Sequence, residues 1–259
     1  NKAIELNPEF ADAYLNRGVA KGKLEDYASA IQDYNKAIEL NPEFADAYLN
    51  RGVAKGKLED YASAIQDYNK AIELNPKDAD AYFGRAFDKS NLGDHTGSIQ
   101  DFNKAIELNP EFADAYLNRG VAKGKLEDYA SAIQDYNKAI ELNPKDADAY
   151  LNRGYTKMQL GDYAGAIQDF NKAIELNPKN AVAYLNRGVT RGKSGDYSGA
   201  IQDFNKAIEL NPKDADAYLN RGVAKGILGD KQGGVLDLNK AGELGHASAY
   251  EAIRIIQNH

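Results

Sequence analysis

Three polar residue types recur in this sequence at spacings that could do chemistry: arginine, aspartate and asparagine. Arg17 stands sixteen residues before Asp33, and the pair returns as Arg119 with Asp135 and Arg153 with Asp169 among seven copies. A guanidinium and a carboxylate at fixed spacing can form a planar, two-bonded ion pair. Arg17 shares a helical face with Ala13, Ala20 and Leu24, so its head is partly buried, and a buried charge needs a partner. The expected role is a structural clamp, tying two helices of one unit or one unit to the next. The alternative is an arginine that holds a ligand.

The second series is Asn16, Asn50, Asn118, Asn152, Asn186 and Asn220. A carboxamide offers an acceptor and two donors, which matches the C=O and N–H of a peptide backbone. Asp12, Asn16, Val19 and Lys23 fall on one helical face. The Asp series, with Asp114 and Asp148, favours ligands that carry Lys or Arg. Lys23, Lys57, Lys125 and Lys193 lie farther along the same face, which makes it bipolar. The alternative is that each Asn bonds a neighbouring unit or only water.

Other chemistries are excluded by composition. The chain has no Cys, so no thiol nucleophile or thiolate metal site exists. His95, His246 and His259 read as isolated, and no carboxylates stand near them at metal spacing. Ser is scattered, so no nucleophile–base arrangement is visible. No catalytic residue, metal or cofactor is expected. The net charge is −7 and acidic residues dilute every Lys, which argues against nucleic acid. No apolar run approaches the ~20 residues of a membrane span, and no targeting signal is visible.

The elements that must position these residues follow from one period. The 34-residue stretch 11–44 recurs at 45–78, 79–112, 113–146, 147–180 and 181–214, then in shortened form at 215–246. Stretches 45–78 and 113–146 are identical, and all seven prolines lie one period apart. Such a period means stacked supersecondary units, each too small to bury its own apolar face. The expectation is one domain, residues 1–259, with 1–10 a partial repeat and 247–259 a closing helix. Within a repeat, the spacing predicts a first helix over about residues 9–24. A turn at Glu25-Asp26 follows, with Gly at the first of these positions in later repeats, as suits a left-handed helix end. A second helix over 27–40 carries Tyr27, Ala30, Ile31, Tyr34, Ala37 and Ile38 at amphipathic spacing. Asn41-Pro42 ends it. Small residues at Gly18, Ala20, Ala30 and Ala37 let helices approach, with tyrosine, Tyr14 and Tyr34 above all, filling the gaps.

The pattern Tyr14, Gly18, Ala30, Tyr34 and Pro42 resembles the tetratricopeptide repeat (TPR), and Arg17 and Lys21 depart from it at Leu and Tyr positions. The resemblance covers essentially the whole chain. It implies an all-α fold, a right-handed superhelical solenoid of antiparallel helix pairs. It also implies that the Asn face lines a concave groove, similar to the asparagine ladders of TPR superhelices. The basic clamp that some TPR domains use for acidic C-termini is not expected, because Asp12, Leu15 and Val19 occupy its places.

Individual repeats deviate. The third introduces Phe83, Gly84, Ala86, Phe87, Asp88, Ser90 and Asn91, and the fifth Tyr155, Met158 and Gln159. Phe83, Phe87, Tyr155 and Met158 are read as groove residues, since aromatics in pockets dominate binding. Local repacking around Gly84 is the alternative. Lys231, Gly233, Gly234 and Gly242 should weaken the last second helix, at roughly 1 kcal/mol per interior Gly. The sequence opens at Asn1 inside a repeat, so it reads as a fragment, with Ala3, Ile4 and Leu6 exposed as an open edge for self-association. The expected function is a non-enzymatic scaffold that binds a protein or peptide segment in the groove. The alternatives are a self-assembling or engineered array, and the TPR portion of a larger enzyme.

Overall fold

The computed structural model describes residues 2–258; Asn1, at the head of the partial repeat, and His259 lie outside them. Every regular element among the described residues is an α-helix. The chain divides into two compact units, residues 1–142 and 143–259. The first holds a short helix α1 (Lys2–Leu6) and four antiparallel pairs: α2 (Ala11–Lys23) with α3 (Tyr27–Leu40), α4 (Ala45–Lys57) with α5 (Tyr61–Leu74), α6 (Ala79–Asn91) with α7 (His95–Leu108), and α8 (Ala113–Lys125) with α9 (Tyr129–Leu142). The second holds α10 (Ala147–Gln159) with α11 (Tyr163–Leu176), α12 (Ala181–Lys193) with α13 (Tyr197–Leu210), α14 (Ala215–Ile227) with α15 (Lys231–Glu243), and the closing helix α16 (Ala249–Asn258). Each unit is an all-α solenoid segment.

Local chemistry sets these ends. The first helix of the repeat is shorter than its periodicity predicts, because Phe10 is still extended at φ −84° and ψ 92°. Asp26 caps α3 by accepting from the Ser29 N–H at 3.2 Å, which satisfies one orphan donor of the first turn. Gly93, Gly161, Gly195 and Gly229 end their helices at positive φ. Glu25, Glu59 and Glu127 adopt the same left-handed conformation at φ 61–62°, where a Cβ is strained. Replacing Glu127 by Gly, the residue of later repeats, should therefore stabilise the fold by about 0.5–1 kcal/mol. A lower denaturation midpoint for the variant would contradict this.

Packing follows a small-against-large rule. A Cβ on Gly18 would stand within 2.5–3.0 Å of the Tyr34 ring, so Gly leaves the room that this ring takes. Tyr34, Tyr68 and Tyr136 are buried, whereas Phe102, Phe170, Phe204 and Leu238 take the same slot elsewhere. Tyrosine is thus not a uniform core residue: Tyr14 is half-buried, and Tyr155 and Tyr250 are exposed. Burying such a ring is worth about 1.5–3 kcal/mol. The glycines of α15 have a packing reason that composition alone hid. A Cβ on Gly234 would meet the Gly222 carbonyl oxygen at 2.8 Å, so this Gly lets α14 and α15 approach backbone to backbone. Helix α16 then lays Ile256 over Gly226.

Candidate binding surface

The Arg–Asp series is a clamp within each repeat. Arg119 Nε and Nη2 donate to Asp135 Oδ2 and Oδ1 at 2.9 and 2.6 Å, linking α8 to α9. The remaining nitrogen reaches back one repeat, where Nη1 donates to Asn103 Oδ1 on α7 at 2.7 Å. Arg51 with Asn35, Arg187 with Asn171 and Arg221 with Asn205 repeat this link. Both alternatives for the clamp, within a unit and between units, are therefore realised by one side chain. Lys123 Nζ is a second cation on Asp135, 2.8 Å from Oδ2. This explains the Lys at the Tyr position of the repeat pattern, a role not read from the sequence. Arg119 also lies over the Tyr116 ring, 5.3 Å from its centroid. Arg17 with Asp33 and Arg153 with Asp169 have the same two-bonded geometry. Burial alone would raise the Asp33 carboxyl, but hydrogen bonds from Arg17 and Lys21 outweigh it and hold it below its ordinary value.

The asparagine series is accessible and half-used. Asn16 is exposed, and Asn50, Asn118, Asn152, Asn186 and Asn220 are partly exposed. Asn118 Nδ2 donates to the Asp114 carbonyl oxygen one turn earlier, at 2.8 Å, and Asn152 does the same to Asp148. Asn50 and Asn220 follow suit with Asp46 and Asp216. One N–H holds the amide against its own helix, and an amide has a second N–H and an acceptor oxygen besides. The clefts beside the series include its neighbours: Val19, Lys23, Tyr27, Asn50, Val53 and Lys57 line one cavity of about 300 Å³. Val189, Lys193, Tyr197, Asn220 and Val223 line its counterpart in the second unit.

The deviating residues separate into two groups. Phe83 and Phe87 line a cavity of about 500 Å³ in the first unit, with Phe112, Tyr68, Asp80, Asp88 and Asp114. Phe83 also stacks on Phe112 at 4.7 Å and tilts against Phe102 at 5.6 Å, so one residue both lines the cavity and repacks its surroundings. Tyr155 is exposed. Met158 is not a groove residue. It is 5% exposed and packs on Ala166 and Phe170, filling the space that Gly22 leaves open in the first repeat. The reason is steric: Phe170 lacks the hydroxyl that Tyr34 extends toward Gly22. His246 also differs from its isolated reading, since its Nε2 lies 3.1 Å from Asp216 Oδ1. Among the described residues no cluster of His, Asp or Glu could hold a metal ion, and no helix is long and apolar enough to cross a membrane.

Comparison with known proteins agrees with this architecture. The family model described as "Tetratricopeptide repeat" matches residues 11–44, 45–78, 113–146 and 147–180, more than half of the chain. Related repeat models match 91–127, 170–202 and 191–229. No curated protein matches the sequence. Among solved structures, a tetratricopeptide repeat protein from Parabacteroides merdae is 23% identical, with a TM-score of 0.69 over 96% of this chain and 99% of that one. YrrB, a TPR protein described as having an unusual peptide-binding site, is 29% identical, with a TM-score of 0.60 over 71% of this chain and 95% of its own. MamA is 27% identical, with a TM-score of 0.59 over 63% of this chain and 96% of its own.

Proposed function

This chain belongs to the tetratricopeptide repeat family, and on that premise we propose that it binds an extended protein segment along the asparagine face of its first-of-pair helices. Proteins of this family are generally non-enzymatic scaffolds for protein or peptide partners, and the present chain is read as one of them. The observation that carries it is the half-used amide. Asn50 and Asn118 in the first unit, and Asn152 and Asn220 in the second, are held by one N–H to their own helices. An amide so oriented has lost its rotamer entropy before a ligand arrives, which lowers the cost of binding. An extended backbone presents alternating C=O and N–H groups, the complement of an amide's own. The peptide-binding site described for YrrB, at 29% identity, supports the same reading.

The test uses a segment selected from a displayed peptide library by the intact chain. Two triple Ala variants, at Asn16, Asn50 and Asn118 in the first unit and at Asn152, Asn186 and Asn220 in the second, test the units one at a time; the one whose face holds that segment should weaken it at least about tenfold, since each lost bond costs roughly 0.5–1.5 kcal/mol. Far-ultraviolet circular dichroism should not change, because the hydrogen bonds of Asn118, Asn152 and Asn220 run to their own helices. Unchanged affinity in both variants would move recognition to the opposite face or the ends of the array.

A further inference from the structure

The third repeat carries a feature that no other repeat has. Asp88 stands where neighbouring repeats hold Ala54 and Ala122, and its side chain is buried, 3% exposed. Its Oδ2 makes no hydrogen bond among the described residues. Groups this deeply buried are normally paired, because an unpaired carboxylate is strongly disfavoured away from water. The Asp88 side chain lies against Gly56 on α4, where a Cβ would approach its oxygens to 3.0–3.1 Å. The same carboxylate lines the cavity of about 500 Å³ described above. Phe83, Phe87 and Phe112 supply aromatic wall, and Asp80 and Asp114 supply two further carboxylates, both exposed. Gly84 shapes the cavity: a Cβ there would stand 2.6 Å from the Tyr68 ring, so a larger residue at this place would have to displace that ring.

We infer that this cavity is a specificity pocket for the ammonium group of a lysine side chain on the bound segment. The inference rests on the groove reading and names the partner's chemistry at one place along it. An ammonium carries three donors and no acceptor, which suits the orphaned Oδ2 of Asp88, with the exposed Asp80 and Asp114 adding negative charge along the same cavity wall. The aromatic faces suit both the alkyl stem and the cation. Burial pushes the Asp88 carboxyl up to about 7, a cost that a bound cation relieves. Lys57, which also lines the cavity, is exposed and makes no hydrogen bond to Asp88 Oδ2.

The experiment is a nuclear magnetic resonance titration with three probes at pH 8. They are a capped Gly-Gly-Lys-Gly-Gly peptide, the same peptide with norleucine for lysine, and n-butylammonium. The lysine peptide should bind at least about tenfold tighter than the norleucine peptide, and shift the ring protons of Phe83 and Phe87. The preference should vanish in Asp88→Ala, a variant that holds the residue of the neighbouring repeats. Equal binding of the two peptides, no binding of the lysine peptide up to about 10 mM, or a preference that persists in Asp88→Ala would each overturn the pocket. Tighter binding of n-butylammonium than of the peptide would overturn its assignment to a peptide side chain. The groove reading is judged separately, by the two triple Asn variants.

Discussion

Replacing Asp135 by Ala should cost about 3–5 kcal/mol of stability. The Asp135 side chain is 5% exposed and carries two cations, Arg119 and Lys123, which are 16% and 19% exposed. Removing the carboxylate leaves two like charges side by side with no shared counterion, and desolvation of both then goes uncompensated. Arg119→Ala should be milder, about 1–3 kcal/mol, because Lys123 still neutralises Asp135 and only hydrogen bonds and ring contact are lost. The pair alone would give Arg119→Ala about 3–5 kcal/mol, because loss of the Arg would strand the Asp; Lys123 lowers that figure. Urea denaturation followed by circular dichroism checks it. Solenoids unfold as chains of coupled repeats, so midpoints of several probes should be compared. An effect of Asp135→Ala under about 0.5 kcal/mol would show the pair to be a surface contact.

Asp88→Ala should act in the opposite direction, stabilising the protein by about 2–4 kcal/mol at pH 8. The carboxyl is raised by burial from 3.8 to about 7. Each pH unit by which the folded carboxyl titrates late corresponds to about 1.4 kcal/mol, and local relaxation trims the sum. The sign follows from proton binding. Below about pH 4 both folded and unfolded chains hold the proton, and the buried acid costs nothing through its charge. Between about pH 4 and pH 7 only the unfolded chain releases it, so stability falls as pH rises. Above about pH 7 the full cost is present. The gap between variant and parent should therefore open across about pH 4–7 and level off beyond it. A gap independent of pH, or a less stable variant at pH 8, would contradict this. A residue that costs stability in the free protein and lies in a binding cavity is the trade expected of a functional site.

The array itself was legible because its signals repeat. Pro42 and the Arg17–Asp33 spacing recur with the period, as does Gly18 in all but the third repeat, and recurrence separates a structural requirement from chance. What stayed hidden depends on neighbours that differ from repeat to repeat. Asp88 was visible as a substitution for Ala, but its burial depends on Gly56, one repeat earlier. Met158 looked like a surface residue because Gly22 holds its place elsewhere, and only the loss of a hydroxyl at Phe170 makes room for it. The Lys at the Tyr position stood out only as a departure from the repeat pattern until α9 placed Asp135 beside Lys123. The hydrogen bond from Asn118 to its own helix was also beyond the pattern, since a face-level argument does not fix side-chain torsions.

The claim that the asparagine face is the binding surface can be read directly from side-chain amide signals. With the chain labelled with nitrogen-15 at asparagine and titrated with its selected segment, the NH2 resonances of Asn118 in the first unit, or of Asn152 and Asn220 in the second, should shift. Those of Asn103 and Asn205, whose oxygens accept from Arg119 and Arg221, should stay where they are. Shifts at Asn103 and Asn205 with none at Asn118, Asn152 and Asn220 would contradict the account and place the partner on the second-helix side.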